Sequence, residues 1–343
     1  MVKKWFSGFL AAVMMVSVLS LGTSVSAEET EAVSETADAA GESGDVNVMA
    51  LKGPTAMGMV KLMGDAESGE EDGLNYQFAI AASADEVTPK LVQGEADIAA
   101  VPANLASVLY NNTEGQVQVL AINTLGVLYI VESGEQIQSV EDLRGKTIYA
   151  SGKGSTPEYA LNYILSENGI DPEKDVSIEW KSEHSECVAA LAAQEGGIAM
   201  LPQPFVTTAQ TKDESIRTAL DLTEEWDRLQ EGREEKSSLI TGVVVGRTEF
   251  VQENPQAVSD FLDLYQESVD FVNGNTEEAA SLVGQYDIVT EEVALKALPE
   301  CNIVYIDGDE MKEQLSGYLT VLLEQNPESV GGELPGDDFY FSR

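Results

Sequence analysis

The chain is poor in basic residues. Its 343 residues include 19 Lys and Arg against 60 Asp and Glu, and the formal net charge is −41. Nucleic acids and anionic lipid surfaces are bound through clustered lysine and arginine side chains, so this balance excludes both as partners. Most of the acidic side chains are expected on solvated helix faces, and the net charge therefore says little about a small-molecule ligand.

Histidine and cysteine are also scarce: the sequence holds one histidine, His184, and two cysteines, Cys187 and Cys301. A zinc site needs several such ligands at regular spacing, and His184 beside Glu183 and Cys187 does not supply them, so we predict no metal and no cofactor. No nucleophile elbow, Cys/His catalytic pair or Walker motif is present, and no catalytic residue is predicted. The two cysteines are expected in different lobes as buried free thiols.

Long hydrophobic runs are absent beyond the N-terminus. There, two lysines precede an apolar run from Trp5 to Leu21, and small residues follow as far as Ala27. This pattern predicts a secretory signal peptide over residues 1–27. Residues 28–44 are rich in Glu, Ser, Thr and Ala and are predicted to form an acidic disordered linker. No cysteine adjoins the cleavage site for a lipid anchor, so we expect an exported protein, periplasmic or at the extracellular cell surface.

The rest of the chain alternates short apolar strands with amphipathic helices. This alternation predicts an α/β fold with mainly parallel sheets. Strands are predicted in two successive sets, at 46–51, 76–81, 96–101 and 117–122, then at 146–150, 176–180 and 198–201, with one more strand between the sets at 127–131 and one after them at 237–246. In both sets a proline follows the short third strand, at Pro102 and at Pro202. The repeated order indicates two lobes of like topology.

The most informative local pattern is a buried strand ending at Ala150, a glycine-containing turn, and Pro157 near the first helical position. Free backbone N–H groups and the helix dipole at such a turn favour an acceptor group with partial or single negative charge. We therefore expect Gly154, Ser155 and Thr156 to bind a ligand, although the same residues would serve an ordinary strand-to-helix loop.

Four segments, taken in order, resemble the substrate-binding proteins of ABC importers for nitrate, sulfonate, taurine and thiamine-pyrimidine precursors. The resemblance covers roughly residues 45–326. The segments are Gly94–Val101, Val140–Ile148 with the turn that follows it, Ala199–Phe205, and Phe250–Val258 with Asn275–Ala280.

This resemblance implies a two-lobe type II periplasmic-binding-protein fold with two crossover strands and the ligand between the lobes. Lobe 1 would comprise residues 45–123 plus 242–343, and lobe 2 residues 124–241. The implied function is non-enzymatic capture of a small polar solute, neutral or singly anionic, by a monomer that delivers it to an ABC permease. An enzyme on the same fold, of the menaquinone- or thiamine-pathway type, is the alternative.

In open α/β sheets, ligands bind outside the carboxyl ends of the strands. The loops at those ends carry three lysines, Lys52, Lys153 and Lys181, and no arginine, so no bidentate clamp on an anion is expected. The further candidate ligand contacts are Thr55, Met57, Ser83, Asn104, His184 and Gln203, of which the polar ones could instead be helix caps and Met57 a core residue. The candidate hinge residues are Asn123, Thr124 and Gly242, where glycine can absorb a backbone rotation.

Overall fold

The computed structural model describes residues 44–69, 75–233 and 237–343. The predicted signal peptide and the predicted linker, apart from Gly44, lie outside these ranges. Within them, no helix is both long enough and apolar enough to cross a membrane.

Eleven strands in the described ranges form two sheets. The first sheet has six strands in the order β11-β4-β10-β3-β1-β2, and the second has five in the order β7-β6-β8-β5-β9. The strands of the first sheet are β1 Asp45–Leu51, β2 Asn75–Ala81, β3 Ile98–Pro102, β4 Val117–Leu125, β10 Ile240–Arg247 and β11 Ile303–Ile306. Those of the second are β5 Leu128–Ser133, β6 Thr147–Ser151, β7 Ser177–Lys181, β8 Ile198–Pro202 and β9 Ile216–Asp221.

Thirteen α-helices of the described chain flank the sheets. Those before the first crossing are α1 Pro54–Met57, α2 Val60–Ser68, α3 Ala84–Gln93 and α4 Ala103–Asn112. Those of the second sheet are α5 Thr156–Glu167, α6 His184–Ala192, α7 Phe205–Lys212 and α8 Leu222–Gln230. The remainder are α9 Thr248–Glu253, α10 Pro255–Gly274, α11 Thr276–Gln285, α12 Glu291–Ala297 and α13 Gly308–Gln325. The predicted α/β fold is confirmed.

The two sheets share one strand order. In the first, β2-β1-β3 run parallel, and β10 lies antiparallel between β3 and β4. In the second, β7-β6-β8 run parallel, and β5 lies antiparallel between β8 and β9. Most strands of each sheet therefore point the same way, as expected, while one antiparallel strand is inserted in each and a second, β11, lies at the edge of the first sheet. Both inserted strands directly adjoin a crossing between the sheets.

Alternate residues of the central strands pack into different apolar clusters, which explains their continuous hydrophobic runs. In β1, Val48 packs towards α2 and α10, whereas Met49 faces the other side of the sheet. In β8, Met200 and Leu201 divide in the same way, with Leu201 packing against α6 and α7. Helices thus pack on both faces of each sheet, and the carboxyl ends of the parallel strands are the positions where a site is expected.

The chain passes from the first sheet to the second between Leu125 and Leu128 and returns after α8. The sequence predicted a break at Asn123-Thr124, but β4 continues through both residues: Thr124 pairs with β10 and β11, and Asn123 lies at a register shift between β4 and β10. The structure also adds two strands that the sequence pattern did not predict, β9 and β11. Cys187 and Cys301 are buried free thiols, in separate apolar clusters.

Candidate functional site

A cavity of about 480 Å³ lies between the two sheets. The carboxyl ends of six strands open into it: β1, β2 and β3 of the first sheet, and β6, β7 and β8 of the second. This volume falls in the range of small-molecule sites. The position agrees with the rule that open α/β sheets bind ligands at their strand ends.

Five of the predicted ligand contacts line this cavity: Thr55, Ser83, Gly154, Ser155 and His184. Thr55 follows β1, and its hydroxyl donates to the carbonyl of the last β1 residue at 2.7 Å. Ser83 is the residue before α3, and its hydroxyl lies 3.4 Å from a carboxylate oxygen in the first turn of that helix. Both sheets therefore contribute hydroxyl groups to the cavity wall.

The hydrogen-bond donors of the turn before α5 are already bonded to other groups of the protein, which the sequence did not indicate. The Gly154 N–H donates to Glu158 Oε2 at 2.6 Å, and the Ser155 N–H donates to the Gly152 carbonyl at 3.1 Å. The Ser155 hydroxyl also donates to the Gly152 carbonyl, at 2.8 Å. A ligand at this turn would have to displace the Glu158 carboxylate or use the outer face of the hydroxyl. Gly152 and Gly154 both have positive φ, which glycine adopts without strain.

Asn104 and Thr156, both predicted to contact ligand, do not line the cavity. They are fully buried, and the Thr156 hydroxyl donates to Asn104 Oδ1 at 3.2 Å. The Asn104 amide donates to the Ser329 carbonyl at 2.9 Å. Their polar atoms are therefore taken up by packing between helices of the two sheets, which corrects the prediction.

Met57 and Gln203 are corrected in the same way. Met57 is fully buried in the apolar cluster of α1, α2 and α10, since the short α1 turns its side chain away from the cavity. Gln203 lines a different hollow, between α7 and α12, and its Oε1 accepts hydrogen bonds from the backbone and the hydroxyl of Thr207. Neither side chain reaches the space between the strand ends.

His184 begins α6 and forms part of the cavity wall. Its Nδ1 lies 2.5 Å from the hydroxyl oxygen of Ser151, the last residue of β6. On its other side the ring packs against Phe205, with the ring centroids 4.9 Å apart. Burial lowers the pKa of His184 to about 4, so the imidazole is neutral at neutral pH.

The charged side chains of the cavity include the three lysines that the sequence indicated, Lys52, Lys153 and Lys181. Lys181 pairs with Glu179 at 3.1 Å, whereas the other two have no salt-bridge partner in the described part of the chain. Two carboxylates, Asp85 and Glu183, also line it, and no arginine does within the described residues. No group of His, Cys, Asp and Glu in the described ranges could hold a metal ion.

The cavity also has an apolar portion that the sequence analysis did not anticipate. Several of its apolar residues end a strand or lie in the first turn of the helix that follows it, which was a usable signal. The apolar lining residues are Leu51, Pro54, Pro89, Pro102, Leu105, Val127, Leu128, Pro157 and Pro202. A solute with a hydrocarbon part would pack against them.

The three predicted hinge residues lie where the two inter-sheet connections leave the first sheet. Gly242 of β10 pairs with Thr124 of β4, next to Asn123. A Cβ on Gly242 would lie 2.5 Å from Asn123 Oδ1 and 2.8 Å from Thr55 Cγ2. Glycine is therefore required here for close approach.

Comparisons with known proteins agree with this geometry. Residues 69–263 match a family described as the ABC transporter, phosphonate, periplasmic substrate-binding protein. A binding protein of Brucella abortus (strain 2308) is 25% identical over 178 residues, which are 52% of this chain and 52% of the relative. Binding proteins of Brucella suis and Brucella melitensis match equally. The matched segment thus spans about half the length of these curated relatives.

Solved structures show the same fold. An ABC transporter protein from Parabacteroides distasonis superposes with a TM-score of 0.70 at 22% identity, covering 87% of this chain and 99% of that one. The alkanesulfonate-binding protein SsuA from Xanthomonas axonopodis pv. citri gives 0.66 at 14% identity, with 85% and 94% covered. The nitrate-binding protein NrtA from Synechocystis PCC 6803 gives 0.62 at 15% identity, with 84% of each chain covered.

The inferred resemblance to ABC-importer binding proteins is thereby confirmed. The family match covers more than half of the chain, and the fold and the inter-sheet cavity agree with it. This chain belongs to the phosphonate-type family of periplasmic substrate-binding proteins of ABC transporters.

Proposed function

We propose that this protein captures a small polar solute in the cavity between its two sheets and delivers it to the permease of an ABC importer. The observation that carries the proposal is the convergence of six strand ends on one cavity of about 480 Å³. Family membership supports a transport role rather than an enzymatic one and a site of action outside the cytoplasm. The proposed acting form is a monomer.

The charges of the cavity favour a solute with one anionic group. Lys52, Lys153 and Lys181 outnumber Asp85 and Glu183 by one, and the first two lysines have no salt-bridge partner among the described residues. The N-termini of α3, α5 and α6 also adjoin the cavity and add partial positive charge. A phosphonate or sulfonate head group with a short hydrocarbon part would match both the polar and the apolar lining. The proposed contacts are Thr55, Ser83, Gly154, Ser155 and His184.

We further propose that affinity arises when two lobes close on the solute. Residues 45–123 with 242–343 would form one lobe and residues 124–241 the other, with Asn123, Thr124 and Gly242 at the hinge. Closure would remove the solute from water and strengthen its hydrogen bonds. Each lobe keeps its own sheet, whereas one apolar cluster contains residues of both lobes, so a rotation at the two connections would have to pivot about this shared core.

Calorimetry with a panel of methylphosphonate, ethanesulfonate and nitrate tests the binding role. We expect saturable binding of at least one organic anion, abolished in a Lys52→Ala/Lys153→Ala variant and retained in a Lys174→Ala control, since Lys174 is an exposed residue paired with Asp171. Binding that is the same in all three proteins would contradict the proposed site.

Small-angle scattering separates the closure proposal from the binding proposal. The radius of gyration should fall on saturation with the panel member that binds. An unchanged radius at saturation would refute lobe movement while leaving the binding site intact.

A further inference from the structure

Ser151 and His184 line the second-sheet wall of the cavity, and Cys187 is buried beside them. Ser151 ends β6, His184 begins α6, and Cys187 lies one turn further along that helix. The Ser151 hydroxyl is 2.5 Å from His184 Nδ1, and its interaction with the Cys187 thiol acts to lower the pKa of that thiol. The hydroxyl therefore has an imidazole and a thiol as neighbours.

The protonation states of the Cys187 thiol and the His184 imidazole restrict which hydrogen bonds Ser151 can form. Burial raises the pKa of Cys187 to about 11, an effect that the hydrogen bond with Ser151 only partly offsets, so the thiol keeps its proton. His184 is neutral, so one of its ring nitrogens bears a proton and the other is an acceptor. A hydroxyl can accept one hydrogen bond and donate another.

One arrangement gives the Ser151 hydroxyl a good acceptor. Its O–H donates to the unprotonated Nδ1 of His184. In the reverse arrangement, the imidazole would donate to Ser151 and the hydroxyl would be left with the thiol sulfur, which is a weak acceptor. The imidazole nitrogen is the stronger acceptor, so the first arrangement is favoured.

We infer that Ser151 is a positioning residue that fixes His184 in the tautomer carrying its proton on Nε2, so that the ring offers a neutral N–H donor to the cavity. Nε2 has no hydrogen-bond partner among the described residues, and the packing of the ring on Phe205 restrains its rotation. The inference rests on the proposed function only in taking this cavity as the ligand site. It requires a hydrogen-bond acceptor on the part of the solute that lies beside His184.

The single histidine of the chain allows a direct test. Protein labelled with ¹⁵N only in histidine gives the ring-nitrogen signals of one imidazole, and the measurement needs no ligand. At pH 7 we expect the proton on Nε2 and a non-protonated Nδ1. A proton found on Nδ1 would overturn the inference, whatever the protein proves to bind.

Variants at position 151 separate positioning from structural support. Ser151→Ala should yield a mixture of tautomers, and Ser151→Thr, which restores a hydroxyl, should recover the Nε2 form. Ser177→Ala, which removes an exposed hydroxyl at the far end of the neighbouring strand β7, is the matched control and should leave the signals unchanged. A tautomer that stays entirely on Nε2 in folded Ser151→Ala would refute the role of Ser151.

Methylphosphonate affinity gives the functional readout. Loss of a fixed neutral donor should weaken its binding about two- to tenfold in Ser151→Ala, with recovery in Ser151→Thr. If methylphosphonate does not bind the wild-type protein, the choice of phosphonate ligands is refuted, while the tautomer measurement still decides the role of Ser151. Undiminished affinity in Ser151→Ala would show that His184 needs no positioning.

Discussion

The Thr156 hydroxyl donates a hydrogen bond to Asn104 Oδ1 at 3.2 Å and thereby joins the first turn of α5 to the first turn of α4. The two helices belong to different sheets. Tyr318 of α13 donates to the same Thr156 hydroxyl at 3.4 Å, and the Asn104 amide is held by the Ser329 carbonyl. This buried network connects the two sheets behind the cavity, so its members act on stability rather than on ligand contact.

Substituting Thr156 by valine should therefore destabilise the protein and spare its ligand affinity. The change leaves the Asn104 oxygen and the Tyr318 hydroxyl without a buried partner, which should lower the free energy of unfolding by about 1–3 kcal/mol. Urea unfolding measures the loss. Ser155→Ala, one residue earlier and on the cavity wall, is the comparison: it should weaken binding more and stability less. If Thr156→Val weakened binding more than Ser155→Ala and stability less, Thr156 would be a ligand contact.

Neutralising either unpaired cavity lysine should weaken anion binding. Lys52→Gln and Lys153→Gln each remove one potential charge-assisted hydrogen bond, for which we expect a loss of roughly tenfold or more in methylphosphonate affinity by calorimetry. Added salt should narrow the difference from wild type, because the cavity is open to solvent. Lys174→Gln, which alters an exposed ion pair in the loop before β7, should bind normally. An equal loss in all three variants would indicate a general charge effect instead.

The lowered pKa of His184 makes stability depend on pH in a defined window. The unfolded chain takes up a proton near pH 6.5, whereas the folded protein resists it until about pH 4. Acidification across this interval therefore favours unfolding, and the stability is recovered as the pH rises again. The full shift corresponds to about 3 kcal/mol, and we expect about 2 kcal/mol because the ring is partly exposed to the cavity.

His184→Gln isolates this contribution from that of the many carboxylates, which titrate in both proteins. Urea unfolding at pH 7 and pH 4.5 should show a smaller loss of stability on acidification in the variant than in the wild type. Identical losses would mean that the imidazole is no harder to protonate in the folded protein than in the unfolded chain.

A methyl group at position 242 should be poorly tolerated. It would meet Asn123 Oδ1 and Thr55 Cγ2 well inside contact distance, and we expect Gly242→Ala to cost about 1–3 kcal/mol of folding free energy. Gly274→Ala is the control, because a Cβ there would meet nothing within 4 Å at the end of α10. Thermal unfolding compares the two. A Gly242→Ala protein as stable as the control would show that the strands separate easily at this point.

The sequence sufficed for most strands and for the location of the cavity, since both follow from local patterns. β1 and β2 are continuous apolar or alternating runs, and the cavity lies at their ends as the topology requires. The strands that were not predicted have weak local signals: β9 includes Arg217 and Asp221, and β11 has only four residues. Their strand structure comes from their neighbours in the sheets.

The predicted contacts were less accurate because a polar residue after a strand can face either the cavity or the partner helix. Ser155 and Thr156 are adjacent and chemically alike, yet only Ser155 lines the cavity. The difference comes from Asn104 and Tyr318, which are distant in sequence and close in space. Local pattern carries no information about such partners, so the division of roles between neighbouring hydroxyls required the three-dimensional structure.

The strand order of the first sheet also limits the order in which parts of the chain can fold. β10 lies between β3 and β4, so Ile240 reaches its partner Leu125 only after all the strands of the second sheet have been synthesised. The first half of the chain therefore has an unfilled gap at the centre of its sheet until the later segment arrives. Contacts of such high sequence separation slow folding. For the export that the predicted signal peptide implies, this delay would keep the chain unfolded for longer, because its N-terminal half lacks the strand that fills the centre of the first sheet.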